Sequence, residues 1–211
     1  MIRDSSPCRL LVEGSDDKHS VLHLMKRHGI DWDRTTPWLP YVHDCNGFTP
    51  LVDALKVSAK SYHRLGIMVD ANANVQQRWL QVKEGLGRAG VTLPASPEPN
   101  GVVVRGIYPD WKVGVWLMPD NQSQGQLEDF LGKLVPQDDA CWVYAVEAAR
   151  HAKGLGARFA EKDFCKAGIH TWLAWQETPG LPFGTAITAK YFGVDSPEAL
   201  RFVQWFKRLF S

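Results

Sequence analysis

Short apolar runs alternate along the chain with longer stretches in which apolar positions recur every three or four residues, a pattern of strands followed by helices. Residues 8–13 (Cys-Arg-Leu-Leu-Val-Glu) read as a first strand. Residues 17–29 then read as a helix, with Val21, Leu22, Leu24 and Met25 at helical spacing and Gly29 ending it. After a Trp- and Pro-rich loop at 32–40, the same alternation predicts a strand at 41–45, a helix at 49–61, a strand at 65–70 and a helix at 75–89. The order β-α-β-α-β-α is that of a mainly parallel sheet with right-handed crossovers.

The turn-rich segment 94–101 interrupts this rhythm. Beyond it, 102–107 and 113–118 read as two further strands, a hairpin around Pro109-Asp110 that would form the far edge of the sheet. Past Pro119 the periodicity is helical, over 125–134, 138–152, 161–176 and 196–210, and the last helix carries Leu200, Phe202, Val203, Trp205, Phe206 and Leu209 on one face. The expected organisation is an α/β domain over residues 1–134 with a helical C-terminal extension over 135–211 packed on it. No internal repeat and no low-complexity tract breaks the pattern.

Composition narrows the class without choosing a partner. At 211 residues and 45% hydrophobic, the chain can bury a full core. Its 24 basic and 23 acidic residues leave a net charge of +1, so no global attraction to nucleic acid is expected and only a local basic patch could supply one. Cys8, Cys45, Cys141 and Cys165 are far apart and form no CxxC pair, which fits reduced thiols. No segment resembles a signal peptide and none holds about 18 uninterrupted apolar residues, so a soluble cytoplasmic protein is expected.

Candidate chemistry enters at two strand ends. Leu11-Val12-Glu13-Gly14 and Met68-Val69-Asp70-Ala71-Asn72 each place an acid where an apolar run stops. Ligands bind outside the carboxyl ends of parallel strands, and two acids there can share a divalent cation. With these motifs on a β-α-β-α-β frame, the sequence resembles the Toprim domains of topoisomerases, primases and overcoming-lysogenization-defect (OLD) nucleases over roughly residues 8–130. It is most similar to small standalone Toprim-like proteins related to OLD nucleases, which share a Pro-Asp-Asn…Gly…Leu-Glu-Asp stretch like that at 119–129 here, and the helical tail with Lys162-Asp163 and Trp172-Leu173-Ala174 fits the same group.

The resemblance implies a Toprim-like fold and a Mg²⁺- or Mn²⁺-dependent nuclease acting on DNA or RNA, with a separate ATPase chain as a candidate partner. Glu13 and Asp17 match the first acidic motif, and Asp70 matches the first acid of an Asp-x-Asp motif whose second place is held by Asn72. Asn72 can offer a carbonyl oxygen but no charge. Glu128 is the replacement acid, and Lys166 is a candidate for the base that steadies a phosphate. In this reading the metals sit on Glu13, Asp17, Asp70, Asn72 and Glu128, with Glu13, Asp70 and Lys166 as the catalytic set. The alternative is a degenerate Toprim that docks to nucleic acid or to an ATPase without catalysis.

Plainer readings stand beside these. Asp16 and Asp17 fall where a helix N-terminus favours negative charge, so at least one is a capping residue, and Asp129 has the same reading. Lys166 reads first as a solvated helix residue. Asp70 to Asn74 begins like a calcium loop, but Val75 and Gln81 stand where Gly and Glu are needed. His19 and His23 have zinc spacing without the glutamate of HExxH. No GxxxxGK[ST] or GxGxxG motif is present. Of the nine tryptophans, Trp142, Trp172, Trp175 and Trp205 read as core residues on helices, although indoles can also stack on bases.

Overall fold

The computed structural model of the chain describes residues 5–32 and 38–211. Positions 33–37 of the predicted Trp- and Pro-rich loop lie outside the described residues. Five strands form one sheet: β1 (Cys8–Val12), β2 (Tyr41–Asp44), β3 (Arg64–Asp70), β4 (Val102–Arg105) and β5 (Lys112–Met118). Their order across the sheet is β2-β1-β3-β5-β4. β2, β1, β3 and β5 run parallel, and β4 closes one edge antiparallel to β5, with Val102 opposite Val115. The expected α/β class, the mainly parallel sheet and the edge hairpin all stand.

The three inner strands are buried on both faces, which is why they read as unbroken apolar runs. Alternate residues still go to opposite sides. Leu10, Val12, Met68, Trp116 and Met118 join one apolar cluster, while Leu11, Ile67, Val69, Val115 and Leu117 join the other. Helices α2 (Phe48–Ser58) and α3 (Val75–Gly87) cover the second face through Leu51, Leu55, Trp79, Val82 and Leu86. The first face is covered by α1 (Ser15–Arg27), by α4 (Leu127–Gly132), α5 (Ala140–Gly154), α6 (Phe164–Ala174) and α7 (Phe183–Thr188), and by α8 (Pro197–Phe210).

The last of these is strongly amphipathic. Ser196 caps it by accepting from the Ala199 N–H, and Pro197 opens its first turn. Its buried face lies on a seat made by two glycines, Gly66 of β3 and Gly114 of β5, which are direct partners in the parallel register. A Cβ on Gly114 would stand 2.6 Å from Leu209 Cδ2, and one on Gly66 would stand 3.2 Å from the same atom. The Trp205 indole N–H donates to the Val102 carbonyl at 3.1 Å, which ties the helix to the edge strand. Residues 135–211 therefore share one apolar cluster with β1 and α1.

Two expectations need correction. The pattern missed α7, a six-residue helix flanked by Pro182 and Ala189 that packs on α1, where His23 Nδ1 and Thr188 Oγ1 are 2.7 Å apart. Trp175 is not core: it is 45% exposed and stacks on Tyr144 at 5.6 Å, whereas Trp172 and Trp205 are buried. Among the described residues, no helix is long and apolar enough to cross a membrane.

Candidate functional site

The carboxyl ends of β1 and β3 are adjacent because those strands pair in register, Val12 opposite Met68. Each apolar run ends one residue before its acid or on it, and the chain then turns into a helix or a loop. Glu13 leaves β1, and Gly14 in extended conformation leads into α1. Asp70 is the last residue of β3. A Glu13 carboxylate oxygen accepts from the Asp70 N–H at 2.8 Å, and an Asp70 carboxylate oxygen accepts from the Leu127 N–H at 3.0 Å. These two bonds link the ends of β1 and β3 to the start of α4.

The approach of α4 depends on the loop between β5 and that helix. Asn121 buries its side chain there and accepts from the Leu117 N–H at 2.8 Å. Asp120 accepts from the Gln122 and Ser123 N–H groups and from the Lys133 ammonium. Burial raises the pKa of Asp120, but Lys133 and the two amides outweigh it and hold the carboxyl down at about 2. Asn72 completes the loop: its N–H donates to the Gly125 carbonyl at 2.7 Å, and the Gly125 N–H returns the bond at 2.8 Å. Its φ of 50° is left-handed, a conformation that asparagine tolerates better than most residues.

The result is a cavity of about 320 Å³ lined by Glu13, Asp16, Asp17, Asp70 and Glu128, with Gln126 and Lys166 at its wall. Asp17 and Glu128 are buried, and Asp16 is exposed. An Asp17 oxygen accepts from the Gly14 N–H at 2.9 Å, so this residue caps α1 and lines the cavity together. Asp129 accepts from the Gln126 N–H at 2.8 Å and caps α4. The Lys166 ammonium, from α6, is 2.7 Å from a Glu128 oxygen.

Of the residues expected at the site, Glu13, Asp17, Asp70, Glu128 and Lys166 are brought together, whereas Asn72 is not among those lining the cavity. Asn72 serves the site through its backbone, by pinning the loop that delivers α4. Two lining or nearby residues, Gln126 and Arg78, went unread in the sequence, and Asp16, read there only as a capping candidate, also lines the cavity. The Arg78 guanidinium lies 3.5 Å over the Phe48 ring and acts on Glu13 through space. Its position in α3, one helical turn after the Asp70 loop, is the signal that could have revealed it.

Electrostatics mark the cavity as short of positive charge. Burial, followed by the neighbouring carboxylates Asp17, Glu13 and Glu128, pushes Asp70 up to about 9. Burial and the charge of Glu13 push Asp17 up to about 7. Glu13 is also raised, mainly by burial, with the Asp70 amide and Arg78 pulling the other way. The Lys166 ammonium is held more firmly protonated, chiefly by its hydrogen bond to Glu128. Buried, crowded carboxylates shift upward in this way.

The donors are all hard oxygens, the type that suits Mg²⁺ or Mn²⁺ rather than a softer metal. Among the described residues, no three His, Cys, Asp or Glu side chains stand ready as they are to hold one ion. Their crowded negative charge is of the sign that a divalent cation would offset.

Fold and site together define an α/β protein with a carboxylate pocket at the carboxyl edge of a parallel sheet. The chain belongs to a family described as a protein of unknown function (DUF3226), whose match spans residues 7–211. No curated protein and no solved structure matches it.

Proposed function

We propose that this chain is a Toprim-like, Mg²⁺- or Mn²⁺-dependent nuclease or related phosphotransfer enzyme of the cytoplasm, acting on nucleic acid at the Glu13–Asp70–Glu128 cavity. The observation that carries the reading is the convergence of those three acids, from the ends of two strands and the first turn of α4, on one open pocket. A bland strand-end acid has no reason to face two others at such electrostatic cost.

In this reading Glu13, Asp17, Asp70 and Glu128 are the residues that would hold the metal. When bound, a divalent cation supplies Lewis-acid stabilisation of the oxygens around a phosphodiester. Glu13 and Asp70 are held in place by their bonds to backbone amides, so their carboxylates enter the reaction oriented. Lys166 is 45% exposed, which leaves it able to turn from Glu128 toward a substrate phosphate and offset its charge.

The test is cleavage of supercoiled plasmid, single-stranded DNA and transfer RNA with Mg²⁺ or Mn²⁺. Cleavage that requires the metal and is lost in both Glu13→Ala and Asp70→Ala is the expected result. No cleavage of any substrate, with no metal binding by calorimetry, would overturn it. A second reading, a docking module without catalysis, draws on the Lys166–Glu128 pair, which already neutralises one carboxylate, and on Asn72, which supplies no ligand. That result would favour it, with nucleic acid or a separate ATPase chain as the thing docked.

A further inference from the structure

At the opposite end of the sheet, where β3 and β5 begin, the chain builds a second cleft of different chemistry. It has two adjoining parts that share Arg64, Pro109, Asp110 and Trp111. One part, about 310 Å³, is walled by Trp38, His63, Tyr108 and Trp111. The other, about 430 Å³, carries Arg105 and Lys112. Both lie at the small end of the range for ligand sites.

The aromatic wall is partly open to water. Tyr108 is 52% exposed and Trp38 is 40% exposed. Tyr108 meets Trp111 edge-on at 4.7 Å, and His63 lies 5.0 Å from the other side of that indole. These contacts hold the Trp111 ring between two others, while the Tyr108 phenol and Trp38 indole stay exposed.

Beneath them lies Arg64, only 9% exposed, with its guanidinium 4.6 Å from the Trp38 ring centroid. Nη1 donates to the carbonyls of Asp110 and His63, but the buried Nε has no hydrogen-bond partner among the described residues. A buried donor without a partner is destabilising, and an anion or carbonyl brought to it would relieve that. Arg105 is exposed and makes no ion pair among the described residues, while Lys112 donates to the Arg208 carbonyl. Asp110 is the one acid among the described residues that line the cleft.

Flat rings at the lip, cations beside them and a needy donor on the floor suit a planar base joined to a phosphate. We propose that this cleft binds one nucleotide unit of a single-stranded nucleic acid, with the base on Trp38, Tyr108 and Trp111 and the phosphate at Arg105, Lys112 and Arg64. A single strand is favoured over a duplex because only unstacked bases present a free face to an aromatic ring. The site contains no carboxylate of the first cavity, so its occupancy requires no metal.

The test is fluorescence anisotropy of a labelled 12-nucleotide single strand in EDTA at low salt, with the matching duplex as competitor. Wild type is expected to bind the single strand in preference to the duplex. Tyr108→Ala should weaken binding roughly 5- to 100-fold, the span of one stacked base. Arg105→Glu should weaken it and flatten its salt dependence. Both side chains are exposed, and circular dichroism checks that each variant is folded. Failure of wild type to bind, equal binding by both variants, duplex competing as well as single strand, or capture only of an acidic aromatic peptide would each overturn the proposal. Metal-dependent cleavage, measured separately, can survive any of these outcomes.

Discussion

At the scale of single residues, Asp70 concentrates the tension of the carboxylate cavity. Its carboxyl ordinarily titrates near 3.8 and is pushed up to about 9 in the fold. The folded chain therefore holds a proton over that interval that the unfolded chain has released, so this group's contribution is full below about pH 4 and is lost as the pH rises toward 9. Asp70→Asn keeps an oxygen for the Leu127 N–H and removes the need to take up a proton on folding. The expected outcome is a higher thermal midpoint at pH 8 in EDTA, by roughly 2–4 °C for each kcal/mol of that protonation cost removed, and a flatter dependence of that midpoint on pH. A midpoint unchanged or lowered at pH 8 would show that the carboxylates do not strain the metal-free fold. Glu13 and Asp70 could be read in the sequence because strand ends advertise themselves as apolar runs that stop at an acid, whereas Asp17, in the first turn of α1, was reached only through the resemblance. The role of Asn72 could not, since a left-handed backbone and a bridge to Gly125 leave no periodic trace.

At the scale of elements, the attachment of α8 to the sheet rests on the absence of two side chains. Gly114→Val puts branched carbon where Leu209 already sits, so a loss of about 1–3 kcal/mol is expected in urea unfolding. Leu209→Ala leaves a void on the same seat and is expected to cost about 2–5 kcal/mol. Joining Gly114→Val with Leu209→Ala should cost less than the sum of the two, because each change makes room for the other. Strict additivity would mean that the helix rests elsewhere. The helix itself was legible from its one-sided apolar face, and so were the strands from their unbroken runs. The seat was not, because Gly66 and Gly114 are 48 positions apart and become neighbours only through the β3–β5 register. α7 escaped for a different reason: six residues span less than two helical turns, too few to establish a period.

At the scale of the whole molecule, the two stretches that the sequence divides near residue 134 meet in one apolar cluster, which takes Leu10 and Val21 from one and Trp172, Phe202 and Phe206 from the other. A single unfolding transition is expected by both circular dichroism and tryptophan fluorescence, and a fragment of residues 1–134 is expected not to fold alone. Two separated transitions would show that the stretches are independent. The placement of charge has a further consequence. Glu13, Asp17, Asp70 and Glu128 crowd one end of strands about 20 Å long, while Arg64, Arg105 and Lys112 occupy the other, so a net charge of +1 conceals an acidic cluster and a basic one set apart along the sheet. Near the isoelectric point of about 7.7 little overall repulsion keeps copies apart, and the acidic pole of one can meet the basic pole of the next. Such head-to-tail contacts do not close on themselves, so solutions in dilute buffer are expected to turn cloudy and to clear again once salt shortens the reach of charge to about 8–10 Å, which light scattering would read.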